Sequence, residues 1–147
     1  MAQHEVELIL LRQFASCLAM PIFIVDPMGT LLYYNEPAEA ILGQRFSETG
    51  ELSKEALATT FHPMDDDGRP LPIEQVPVIE ALVKGEPVHK FMCLKGIDGV
   101  KRRIEATGFP LIGQDKKIIA SVSIFWEVKA NSSSDQAGQA RIHETQS

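Results

Sequence analysis

Only two of the 147 residues are cysteine, Cys17 and Cys93, and neither belongs to a Cys-x-x-Cys pair. That rules out a disulfide framework and suits reduced core thiols in the cytoplasm. Basic residues are also scarce. Fourteen Lys and Arg against 20 Asp and Glu leave a net charge of -6. Non-specific binding to nucleic acid or to an anionic membrane needs a basic face, so neither partner is expected. The one basic cluster, Lys101-Arg102-Arg103, reads as a solvated hairpin end. No apolar run reaches transmembrane length. The first residues carry Glu5 and Glu7 where a signal peptide would be basic, so the chain reads as soluble and cytoplasmic. Catalytic signatures are missing too: there is no nucleophile elbow, P-loop or HExxH helix. Asp65, Asp66 and Asp67 are consecutive rather than alternating, which fits a solvated turn and not a cation loop. The expectation is a protein that is not an enzyme and holds no metal.

An apolar fraction of 44% over this length is enough for the core of one domain. Residues 4–18 show helical spacing, with Val6, Ile9, Leu10, Phe14, Cys17 and Leu18 on a broad face and Leu8 and Leu11 widening it. A helix this apolar needs cover from its own domain or from a partner chain. Pro21 stops it. "IFIV" then reads as a strand buried on both faces, "DPMG" as a type I turn and "TLLYY" as the return strand. Asn35 suits the N-cap of a short helix that Gly43 ends. Residues 44–72 look irregular, with a short helix at "SKEALATTF" and a polar Pro/Gly loop. "IEQVPVIEALVKGEP" is helical around or after Pro77, burying Val78, Ile79 and Leu82. The last third reads as strands: "VHKFMCL", an Asp98-Gly99 turn, "RRIEATGF" closed by Pro110, and "IIASVSIFWEV". From Lys129 onward the composition is too polar to offset the entropy of ordering, so a disordered tail is expected over 129–147.

The order helix, two strands, short helices, three strands resembles the PAS domain family, and so do the particular stretches "IFIVD", "DPMG", "LLYYN" and "AEAILG". "DDDGRPLPIEQVPVIEALVKGEPV" and "IDGVKRRIEATGFPLIGQDKKIIASVSIF" are similar to the middle and closing segments of a subgroup found in bacterial sensor proteins. The resemblance covers residues 20–128. It implies an α+β fold, a PAS-like five-stranded antiparallel sheet flanked by short helices and enclosing a pocket, with an N-terminal amphipathic helix over 1–19. It further implies that Phe23, Val25, Ile104, Ala106, Ser121, Ser123 and Phe125 line the pocket. Val122, Ile124 and Trp126 would then lie on the outer face with Ile22 and Ile24. The N-terminal helix would cover that face and build a dimer contact through Leu8, Leu11, Phe14 and Leu18.

Photoactive flavin members need a cysteine just after the Leu-Gly helix, and "LGQRFSE" has none, so a flavin adduct is not expected. Haem-binding members often use a histidine on the helix before the third strand. That helix has none here, and His62 and His89 lie outside it, so haem is disfavoured. The resemblance thus implies a sensory and protein-interaction domain of signal transduction. It would act as a homodimer, bind an unidentified small molecule and have a signalling protein as partner. The alternatives are a pure dimerisation or adaptor module whose pocket is filled by Phe23, Phe61, Met92 and Phe125, a haem sensor, and a small α+β enzyme.

Overall fold

A computed structural model describes residues 3–129. Apart from Lys129 itself, the expected tail lies outside the described residues. The chain opens with helix α1 (Gln3–Ser16) and the hairpin β1 (Ile22–Val25) and β2 (Leu31–Tyr34). Three short helices follow: α2 (Glu36–Leu42), α3 (Phe46–Thr49) and α4 (Lys54–Phe61). A 3-10 turn (Ile73–Gln75) leads into α5 (Pro77–Lys84). Strands β3 (Val88–Lys95), β4 (Lys101–Ile112) and β5 (Ile118–Glu127) complete one five-stranded sheet in the order β2-β1-β5-β4-β3. Every neighbouring pair is antiparallel.

Local chemistry explains the punctuation. Asp26 Oδ1 accepts from the amides of Met28 (2.8 Å) and Thr30 (3.0 Å), and Gly29 at φ 88° takes the left-handed position that closes the turn. The register slip between Ile24 and Val25 is the bulge this turn leaves behind. Pro77 sits in the first turn of α5, where a missing amide costs nothing, so the helix starts there without a kink. Pro110, by contrast, does not close a strand. β4 runs on to Ile112, because the β3 ladder ends at Val88–Gly108 and beyond it β4 is an edge strand that tolerates proline.

Two apolar layers sandwich the sheet. On its concave side Phe23, Val25, Ile104, Ala106 and Phe125 meet α2, α4 and α5. On its outer side Ile22, Ile24, Ala120 and Val122 meet Leu8, Leu11, Ala15 and Leu18 of the N-terminal segment. This corrects the expected helix face. Val6, Ile9, Leu10, Phe14 and Cys17 stay at the surface, with Phe14 63% exposed. The rotation is set at the end of α1, where Ala15 is wholly buried and its carbonyl accepts from Asn35 Nδ2 at 2.9 Å. Arg12 stacks over the rings of Tyr33 and Phe46, which fixes the same rotation.

The basic cluster stays at the surface at Lys101 and Arg103, as a hairpin end would, but Arg102 is largely covered and both arginines are paired. Arg102 donates to the Ile41 carbonyl (2.8 Å) and pairs with Asp98 (2.9 Å), and Arg103 pairs with Asp66 (2.9 Å) while covering the Phe91 ring. Asp65 caps its own turn by accepting from the amides of Asp67 and Arg69. The loop that follows α4 covers the free edge of β3 through paired hydrogen bonds between Met64 and Cys93. Among the described residues no helix is long and apolar enough to cross a membrane, and no cluster of His, Cys, Asp or Glu could hold a metal.

Helix α5 is tied to β3 by charge. Glu80 pairs with Lys84 (2.8 Å) and Lys90 (3.0 Å), and Lys90 also donates to the Gln75 carbonyl (2.7 Å). The hydrogen bond from Lys84, then that from Lys90, holds the Glu80 carboxyl below its ordinary value. A lowered carboxyl stabilises the fold above its unfolded value of about 4.3, and that contribution fades as pH falls through the folded value. Glu80→Gln is therefore expected to destabilise the protein at pH 7. Its deficit in urea unfolding should begin to shrink as pH falls past about 4.3 and vanish only below the lowered folded value. A deficit that persists unchanged in acid would show that the side chain acts by packing instead.

Candidate functional site

The site is a cavity of about 70 Å³ between the concave face of the sheet and the helical layer. The strands give one wall: Phe23 from β1, Met92 and Leu94 from β3, Ile104 and Ala106 from β4, Ser123 and Phe125 from β5. The opposite wall comes from Leu42 of α2, Leu57 and Phe61 of α4, Pro63, the 3-10 turn (Ile73, Val76) and the first residues of α5 (Pro77, Val78, Ile79). Strand alternation explains the first wall. Inward residues recur at every second position of β4 and β5, and the pairings Phe23–Ser123 and Ala106–Phe125 bring them to one level.

Five of the seven residues expected from the resemblance lie around this cavity: Phe23, Ile104, Ala106, Ser123 and Phe125. Val25 and Ser121 do not. They face each other across β1 and β5 one inward step further on, about 6.6 Å away. There Val25 belongs to the packed core, and the Ser121 hydroxyl donates to the Phe109 carbonyl at 3.3 Å. The four side chains expected to fill the pocket (Phe23, Phe61, Met92 and Phe125) all border it yet leave it partly open.

On the outer face Leu8, Leu11 and Leu18 meet Ile22, Ile24, Val122 and Ile124. Phe14 and Trp126 are not part of that layer. Trp126 is 43% exposed, and its indole N–H donates to Glu105 Oε1 at 3.1 Å. The other oxygen of Glu105 lies 2.8 Å from His89 Nε2, which places His89 on the outer face, away from the cavity. His62 ends α4 in the left-handed conformation and is exposed. Neither histidine is among the cavity residues.

The sequence reading missed two residues that shape the site. Gly108 lies where the backbone of α5 crosses β4. A Cβ there would collide with the Pro77 carbonyl and come within 2.7 Å of the Val78 nitrogen. A lone glycine inside a strand is the usual sign of such an approach. Asn35 does more than cap α2. Its side-chain oxygen accepts from the amides of Ile22 (2.9 Å) and Ala38 (3.3 Å), while its Nδ2 donates to the carbonyls of Ala15 and Met20 (both 2.9 Å). Every polar valence of this wholly buried amide is used, and it ties α1, β1 and α2 together. Tyr34 beside it is stacked on Phe23, and burial raises its phenol above the ordinary value although Thr49 bonds to it.

A curved antiparallel sheet with a partly open apolar cavity on one side and a covering helix on the other defines an α+β domain. No family model and no curated protein matches the chain. Solved structures do. The PAS domain of BvgS from Bordetella pertussis is 11% identical with TM-score 0.56, over 95% of this chain and 97% of that one. The Rhodobacter sphaeroides LOV protein is 13% identical with TM-score 0.67, over 92% and 75%. The PAS domain of nitrogen regulation protein NR(II) from Vibrio parahaemolyticus is 16% identical with TM-score 0.56, over 81% and 98%. The chain has the PAS fold.

Proposed function

We propose that the protein is a ligand-sensing and protein-interaction domain of signal transduction, working in the cytoplasm as a homodimer. The cavity carries this reading. It is walled by apolar side chains apart from Ser123, and among the described residues no acid or base lines the cavity with that hydroxyl to make it a nucleophile, which favours binding over catalysis. Two unpaired cysteines fit a reducing compartment.

The route from cavity to partner is short. Along β5, Ser123 and Phe125 face the cavity while Val122 and Ile124 face the α1 layer. A ligand that favours one position of β5 therefore also favours one packing of α1, and it shifts the two only by its difference in affinity. Native mass spectrometry of the purified full chain tests the reading. A dimer carrying a small bound mass is expected. A bare monomer at every accessible concentration would overturn it.

The dimer contact assigned to α1 is its second apolar stripe, Val6, Leu10 and Phe14, extended by Cys17 just past its end, which follows helical spacing and lies beside the stripe on the sheet. Such a stripe can meet its own copy around a twofold axis. Each buried Leu or Phe contributes about 1.5–3 kcal/mol, so three or four side chains from each chain suffice for micromolar association. Phe14→Glu is expected to turn the dimer into a monomer in analytical ultracentrifugation while the thermal midpoint stays within a few degrees. A variant that remains dimeric would move the contact elsewhere.

A further inference from the structure

We propose that the cavity recognises a small neutral carbonyl compound of about three to five heavy atoms, held by one hydrogen bond from the Ser123 hydroxyl. The inference rests on the ligand-sensing reading and gives it a chemistry.

Size comes first. The cavity measures about 70 Å³, roughly half of the 150 Å³ that accommodates benzene. Polarity comes next. Ser123 is the one polar side chain on the wall; it is 6% exposed, and among the described residues its hydroxyl has no hydrogen-bond partner. Its strand neighbour on the same face, Ser121, does have one, in the Phe109 carbonyl. An unpartnered buried hydroxyl is costly, so an occupant that accepts from it gains the bond that folding left unmade.

The remaining wall then selects among occupants. It has no charged side chain, so a carboxylate or phosphate would be buried without compensation. Water needs two to four polar partners and finds one. An alcohol brings a donor of its own that a single hydroxyl cannot match together with its acceptor. A ketone, aldehyde or ester carbonyl only accepts, and the O–H of Ser123 satisfies it, while the alkyl part meets Phe23, Ile104 and Phe125.

The test titrates the full-length protein with 2-butanone and with 2-methyl-1-butene, which has nearly the same shape with a CH₂ in place of the oxygen. Methyl NMR signals of Met92 and Ile104 report occupancy, and xenon reports whether the cavity admits any guest. Butanone is expected to bind more tightly than the alkene. Ser123→Ala should weaken butanone about tenfold, the effect of one net hydrogen bond, and leave the alkene unchanged. Ser121→Ala, whose hydroxyl is already engaged, should change neither. Equal affinity for the two probes, or an equal loss in both serine variants, overturns the carbonyl assignment. Binding of xenon without either organic probe overturns the size class while the ligand-sensing reading stands. No response to any of the three, xenon included, overturns that reading as well.

Discussion

Asn35→Ala is expected to cost about 2–4 kcal/mol in urea unfolding, beyond the ~1 kcal/mol of an ordinary lost helix cap. Ala38 keeps its second acceptor, the Asn35 carbonyl, and the Ala15 carbonyl keeps the Leu18 amide. The Ile22 amide and the Met20 carbonyl lose the Asn35 side chain, the partner that meets each of them at 2.9 Å. An unsatisfied buried group costs roughly 1–3 kcal/mol, and the Ile22 amide is one; the Met20 carbonyl is only part-buried and reaches water, and the lost cap adds about 1 kcal/mol. The loss should be felt first in α1. Hydrogen exchange over residues 8–18 should rise more than exchange in β4 and β5. Asn35→Asp distinguishes the two halves of the amide. It keeps the acceptor but turns an oxygen toward the Ala15 and Met20 carbonyls, so it should release α1 at least as fully as the alanine variant. A cost near 1 kcal/mol with α1 protection unchanged would reduce Asn35 to a simple cap.

Gly108→Ala should be the most damaging single methyl in the sheet, about 3 kcal/mol, at the upper end of overpacking costs. The added carbon meets backbone, the Pro77 carbonyl and the Val78 nitrogen, not the end of a flexible side chain. The helix has to lift, and Glu80 holds it down through Lys90 on β3. Because Pro77 and Val78 line the cavity, lifting α5 also enlarges it. The variant is expected to lose stability and to admit larger apolar guests than the native protein, measured by methyl NMR with benzene as probe. A change under 1 kcal/mol with guest size unaltered would mean that α5 slides freely over β4.

Both residues bear on how the cavity communicates with the outer face. Gly108 sets the height of α5 above the sheet, and Asn35 sets the seat of α1 on the other side. Between them lies β5, whose alternate side chains touch both layers. In the proposed function sensing and docking would share one strand, and the sheet would need to move only slightly for the helix packing to respond.

Much of the architecture is legible from the chain because its signals are local. The Asp-x-x-Gly turn, the Asn35 cap, the glycines after α2 and α5 and the Asp98-Gly99 turn each act within a few residues, and the structure has each where local chemistry puts it. The alternation along β4 and β5 likewise separates an inner from an outer face without knowledge of what covers either. What the sequence could not decide were matters of long-range approach. Apolar residues run around most of α1, so its pattern permits several rotations. The buried one was chosen by Ala15 fitting under the Asn35 amide and by Arg12 lying on two rings, partners 20 or more residues away. Pro110 reads as a strand end until the absence of a β3 neighbour at that level makes it harmless. Within the Lys101–Arg103 cluster only Arg102 departs from the solvated reading, because the Ile41 carbonyl, 61 residues away in sequence, accepts from it. Composition and periodicity determined a set of strands with apolar faces and a helix to cover one of them, and the resemblance implied that the strands form one curved sheet. Only tertiary packing decided how far the helices stand from that sheet. That distance, fixed by backbone contact at Gly108, sets the size of the space that remains inside.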